Sequence, residues 1–153
     1  MARHTLNYHE GDWFAVPLNK PGYALGLVAR ADGRGLILAY YFGPRRNSMP
    51  NARDTGVLLP NHAVWKCLVN DQSLRNGDWP IIAHTTEWNP NMWPVPVFAR
   101  FDEYDKTAVE VVYSDSLSVL RETDISLRKA RHLPEDVFES PRSVEACLSQ
   151  LLP

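Results

Sequence analysis

One stretch limits the fold more than any other: GDWFAVPLNKPGYALGLVARADGRGLILAYYF, residues 11–42. Three runs of aliphatic, β-branched and aromatic residues, Trp13 to Leu18, Tyr23 to Ala31 and Leu36 to Phe42, are separated by Asn19-Lys20-Pro21-Gly22 and Asp32-Gly33-Arg34-Gly35. Runs of this length between turn residues predict strands. Asp-Gly favours a tight hairpin, because glycine accepts φ > 0 without steric cost. Sequential hairpins make an antiparallel meander. Pro17 suits the edge or end of the first strand, since it has no N–H to give to a ladder. Gly26, inside the second strand, predicts a bulge, a bend or a close backbone approach. Alternation makes Tyr23, Leu25, Leu27 and Ala29 the expected core face and leaves Ala24, Gly26, Val28 and Arg30 on the other.

The rest of the chain extends this sheet. A length of 153 residues corresponds to one domain, 1–153, large enough to bury a core without covalent staples. Twelve prolines disfavour long helices and central strands, so short elements and ordered loops are expected. Residues 1–10 are polar and read as a lead-in, and Gly43 to Gly56 reads as a loop. Val57 to Pro60 is a candidate short strand. Asn61 is placed to cap a helix from His62 to about Asn70, with Val64, Trp65, Leu68 and Val69 on one buried face. Trp79 to His84 and Val97 to Phe101 read as strands. Asp102 to Lys106 (DEYDK) reads as a hairpin turn, Thr107 to Tyr113 as its return strand, and Leu117 to Leu120 as a short further element. Ser140 and Pro141 fit the N-cap and first position of a terminal helix. Its stripe, Val144, Cys147, Leu148 and Leu151, should dock on the sheet and bury Cys147. The expected class is α+β, mainly β: a curled antiparallel sheet with short helices and a docked C-terminal helix. An SH3-like barrel is one form the N-terminal meander allows.

Catalytic patterns are sparse. His4, His9, His62, His84 and His132 form no HxH or HExxH pair; His9, Glu10 and Asp12 cluster locally, but neighbours on a strand point to opposite faces. There is no GxSxG, no GxxxxGK[ST] and no GxGxxG. Cys67 and Cys147 lack metal or CxxC spacing, and Cys67 reads as a plain buried cysteine. No catalytic residue, metal or cofactor is therefore expected. The first residues, MARHTLNYHEGDW, hold no apolar core of a signal peptide, and no run approaches a membrane span, so a cytoplasmic protein with reduced thiols is expected.

Charge and aromatics point to recognition instead. The net charge of −2 gives no case for nucleic acid or a membrane surface. Residues 102–124, however, carry seven acidic and two basic groups, whereas residues 1–56 carry seven basic and four acidic. An acidic band suits a basic partner. Asp102, Glu103 and Asp105 on an exposed turn lack the burial that would split their pKa values for acid–base work; they fit electrostatic steering. In Thr85 to Pro96 (TTEWNPNMWPVP), Trp88 and Trp93 either fold back on the sheet or face a partner. With Tyr104, they are the candidate anchors, since Trp and Tyr dominate interface hot spots. Arg45, Arg46 and Arg53 are the sole basic support for a nucleic-acid-binding module, or form an exposed basic loop.

Four motifs in order resemble the immunity protein 26 family. They are GD-x-F-x-x-PL (Gly11, Asp12, Phe14, Pro17, Leu18), GYALGLV (Gly22 to Val28), L-x-x-G-x-WPII (Leu74, Gly77, Trp79 to Ile82) and LPED (Leu133 to Asp136) followed by V-E-x-x-L (Val144, Glu145, Leu148). Trp13 and Ala83 depart from the aliphatic residue and the glycine expected at their positions. The resemblance implies a small α+β protein of bacterial polymorphic toxin systems that binds and neutralises a cognate toxin domain in the cytoplasm by occluding its active site. The family name is also attached to small phosphotriesterases, so an organophosphate hydrolase is the alternative activity it implies.

Overall fold

The turns of residues 11–42 act as their chemistry dictates. The structure, a computed structural model, describes residues 6–153. Strands β1 (Asp12–Pro17), β2 (Tyr23–Ala31) and β3 (Leu36–Arg46) pair antiparallel in sequence order. At the second turn Gly33 and Gly35 have φ of +74° and +110°. Asp32 Oδ1 accepts the N–H groups of Arg34 and Leu36 at 2.7 and 2.9 Å, which closes the turn.

The predicted helix over 62–70 is a strand. β4 (Trp65–Asn70) pairs antiparallel with β3, from Leu36 opposite Asn70 to Tyr41 opposite Trp65. A strand buried on both faces loses the polar alternation that marks strands, so its apolar spacing mimics a helix. Val57 to Pro60 is not a strand either; a 3-10 turn occupies Pro60–His62. After the short helix α1 (Gln72–Arg75) comes β5 (Ile81–His84), which pairs with β1. β6 (Phe98–Asp102), β7 (Thr107–Tyr113) and β8 (Val119–Ile125) form a second antiparallel sheet, followed by α2 (Leu127–Ala130), β9 (Phe138–Glu139) and α3 (Pro141–Leu151). The larger sheet has the order β5-β1-β2-β3-β4-β9, with β9 parallel to β4. Its end strands do not meet, so the barrel form is not adopted. The protein is α+β and mainly β.

The large sheet is buried on both sides. One face, with Phe14, Val16, Ala24, Val28, Tyr41, Cys67 and Val69, packs under α3 through Val144, Leu148 and Leu152. The other, with Trp13, Leu25, Leu27, Tyr40, Phe42 and Leu68, packs against Phe98, Val111 and Tyr113 of the small sheet. The expected core face of β2 is therefore one of two. Leu151 is exposed and Leu152, just past the helix, fills the core in its place, while Cys147 is only partly buried. Residues 6–10 are more than a lead-in, since Tyr8 is buried and donates to Asp71 Oδ2 at 2.6 Å.

Gly26 marks a close approach. It lies opposite Phe14 in the β1–β2 register, and the Phe14 ring occupies the space a Cβ on Gly26 would need, at 2.3 Å. The same ring stacks on Trp79 at 5.5 Å and meets Tyr41 edge-on at 6.1 Å.

Candidate functional site: the acidic end of the small sheet

The β6–β7 hairpin is built by its own first carboxylate. Asp102 Oδ1 accepts the N–H groups of Tyr104 and Asp105 at 3.0 and 3.1 Å, and Lys106 closes the turn with φ +53°. Asp and Asn favour such turns because the side chain mimics a backbone acceptor. The turn holds Tyr104 away from the fold, 95% exposed.

Pairing sorts the acidic band into two groups. Glu122 and Asp136 share Arg100, at 2.8 and 3.3 Å. Glu110 pairs with Lys129 at 3.0 Å and with Arg121 at 3.9 Å, and Asp115 pairs with Arg30 at 3.1 Å. Among the described residues, Asp102, Glu103, Asp105 and Asp124 have no salt-bridge partner. These four lie at one end of the sheet: Asp102 faces Thr107 on β7, and Asp124 faces Val109 two residues further along. A depression of about 410 Å³ beside them is lined by Arg100, Phe101, Asp102, Glu103, Thr107 and Val109. At the far end of β7 Tyr113 donates to Asp136 at 2.5 Å, and burial, reinforced by that carboxylate, pushes the Tyr113 hydroxyl well above its ordinary pKa.

The candidate anchors are not brought together. Trp93 is 7% exposed and sits edge-on to Trp13, Tyr40 and Phe42, so its ring belongs to the core between the sheets. Trp88 is half-buried, stacks on Trp93 at 6.4 Å and fills the space over Gly11. Trp93 clusters with Tyr113 and Leu117, at the end of β7 away from Tyr104. The seven residues of β7 separate those two ends by about 20 Å at the rise of a strand.

What folds the Trp loop back is Arg30, a residue that the alternation of β2 placed on its other face. A register shift between Val28 and Arg30 turns it toward the loop. Its buried guanidinium donates to the carbonyls of Ala29 at 2.7 Å and of Pro90 and Trp93 at 3.0 Å each, besides Asp115. Tyr40 adds a bond from its hydroxyl to the Pro94 carbonyl. Arg45 and Arg46 are also engaged within the fold: Arg45 donates to the Pro21 and Pro153 carbonyls, and Arg46 pairs with Asp54 at 2.9 Å.

One pairing was hidden in the sequence. β1 and β5 place Asp12 opposite His84, and His84 Nδ1 lies 2.5 Å from Asp12 Oδ1. Asp12 Oδ2 accepts the His9 N–H at 2.8 Å. The buried carboxylate fixes an exposed imidazole, but the depressions of about 440, 270 and 410 Å³ are lined by other residues. Among the described residues, no three His, Cys, Asp or Glu side chains are grouped to hold a metal ion. His4 lies outside the described residues. Cys67 stands on β4, not on a helix, and burial pushes its thiol far above the ordinary value, which leaves it protonated and a poor nucleophile. Among the described residues, no helix is long and apolar enough to cross a membrane.

Comparison with known proteins gives one finding. The family model described as Immunity protein 26 matches residues 9–110, from the lead into β1 to the middle of β7. The match takes in the hairpin tip and the Trp loop; β8, α2, β9 and α3 follow it. No curated protein and no solved structure matches the chain. With two thirds of its length matched, the chain belongs to the immunity protein 26 family.

Proposed function

We propose that this chain neutralises a cognate toxin by binding it in the cytoplasm, and that the acidic end of the small sheet is the docking face. Family membership supports a toxin-immunity role. The observation that carries the choice of face is the concentration there of four carboxylates without salt-bridge partners among the described residues, beside a fully presented Tyr104. Unpaired acids raise the encounter rate with a basic surface and disfavour acidic ones. An exposed tyrosine supplies a rigid, amphipathic contact at low entropic cost. Asp102, Glu103 and Asp105 steer the toxin and Tyr104 anchors it, covering the toxin's active site or substrate groove. Trp93 supports the fold from within, and Trp88 stacks against it.

The test is co-expression with the toxin encoded beside this chain, followed by growth assay and pull-down. Rescue of growth with recovery of a complex is the expected result. Toxicity undiminished by the chain, with no complex recovered, overturns the proposal; turnover of a chromogenic phosphotriester by the same preparation would then favour the hydrolase.

A further inference from the structure

We propose that β8 is a template for strand addition, and that its occupant is an extended basic segment of the toxin. The inference rests on the neutralisation reading above and adds how the partner is held.

A strand at a sheet edge exposes a row of unpaired N–H and C=O groups, and proteins blunt such edges by keeping them short, covering them, bulging them, or placing Pro or charged residues, Lys above all, on them. Three of the four edges here are blunted. β5 has four residues and β9 has two. The outer edge of β6 is covered by the segment after α2: the Ala99 N–H donates to the Pro134 carbonyl at 2.9 Å, and the Asp136 N–H donates to the Ala99 carbonyl at 2.7 Å. β8 is protected least: its bulge lies at one end, near Val119, and its charges are mixed in sign, Arg121 beside Glu122 and Asp124. It runs for seven residues, six of them exposed, without Pro or Lys. Val119 and Leu120 are 51% and 67% exposed. Among the described residues, no chain segment covers its outer edge. The register shift near Val119 leaves Arg121 to Ile125 as a regular run paired on one side only.

The side chains of that run state what fits. Glu122 and Asp124 lie on the face shared with Arg100 and Asp102, whereas Arg121, Thr123 and Ile125 lie on the face that carries α2. Cross-strand neighbours on one face interact directly, and opposite charges there are favourable. An added strand therefore gains most from Lys or Arg beside Asp124, which has no salt-bridge partner among the described residues, and less from one beside Glu122, which Arg100 already pairs, with uncharged or β-branched residues between. A second copy of this chain is a poor occupant. Antiparallel pairing of two β8 strands about Thr123 sets Glu122 of each against Asp124 of the other, with like charges directly opposed. The same face continues into the unpaired acids of the hairpin tip, so one basic partner would meet both.

Amide hydrogen exchange on the chain alone and with a saturating amount of the purified toxin encoded beside it tests this. Amides within 119–125 should exchange at least about tenfold more slowly in the complex. Proline at those positions in Arg121 to Asp124 whose N–H points away from β7 spares the β7 ladder. Such variants, checked as folded by their melting curves, should bind at least about tenfold more weakly than alanine at the same positions, which removes the side chain but keeps the backbone N–H. A complex that forms with unchanged exchange over 119–125, or that tolerates the prolines, overturns strand addition and leaves neutralisation standing. Protection of 119–125 that grows with chain concentration in the absence of toxin makes the occupant a second copy and also overturns it. Absence of any complex overturns both readings.

Discussion

Replacing Gly26 with alanine tests whether the centre of the fold is organised as described. The new Cβ would lie 2.3 Å from two atoms of the Phe14 ring. Carbon atoms in ordinary contact are about 3.5 Å apart, so the ring must retreat by roughly 1 Å. It has nowhere to go: Phe14 is fully buried, stacked on Trp79 and edge-on to Tyr41. Overpacking of a closed core costs about 1–3 kcal/mol, and disturbing each aromatic pair removes up to about 1 kcal/mol more. A loss of about 2–4 kcal/mol is expected for Gly26→Ala, read as a lower urea midpoint at unchanged slope. Phe14→Ala alone should cost about 3–5 kcal/mol through the cavity it leaves. The double variant should be less destabilised than the sum by at least about 1 kcal/mol, because the new methyl group enters space the ring has vacated. A loss below about 0.5 kcal/mol for Gly26→Ala, or strict additivity in the double variant, would refute the idea that this glycine exists to seat the ring.

Other expectations follow from the surface and from titrating groups. Reversing Asp102, Glu103 and Asp105 to Lys should slow association with the toxin at least about tenfold at low salt, with the difference shrinking at high salt, and leave the melting temperature nearly unchanged; an unchanged on-rate in stopped flow removes the hairpin from the docking face. Burial, with Asp78 adding to it and Arg142 opposing, holds the Glu145 carboxyl above its usual 4.5. The native state then keeps that proton to higher pH than the unfolded chain, so this group makes stability fall as pH rises from about 4.5 through the raised native value. Glu145→Gln should accordingly melt with the wild type at pH 3 and above it at pH 7, and the reverse order would show the sign to be wrong. Cys67 is buried and Cys147 partly exposed, so iodoacetamide at pH 8 should modify Cys147 first and reach Cys67 only on unfolding, as peptide mapping by mass spectrometry would show.

Much of the fold is legible because its strongest signals are local. Asp32 to Gly35 specify their turn through their own side chain and backbone, and Ser140 with Pro141 starts α3 with its side chain on the Ser143 N–H. The misreadings share a physical cause. A sheet packed on both faces shows no polar alternation, so Trp65 to Asn70 resembles a helix and β2 appears to have one core face. Arg30 was unreadable for a related reason: a register shift turns its side chain, and the carbonyls it satisfies come from a loop 60 residues away. For the site, the acids and Tyr104 were visible as an exposed turn, since Asp-Glu-Tyr-Asp-Lys between two strands has little else to do. Which of the seven acids lack partners was not visible, because Arg100, Lys129 and Arg30 reach them only through the tertiary fold. The Asp12–His84 pair depends on strand pairing over 72 residues and leaves no spacing signal.

The most direct measurement is a titration of a purified candidate toxin with the chain itself while the toxin's activity is followed. Neutralisation by binding requires the activity to fall in proportion to added chain and to vanish at one equivalent, with calorimetry giving the same stoichiometry. Full toxin activity at an excess of chain would contradict it.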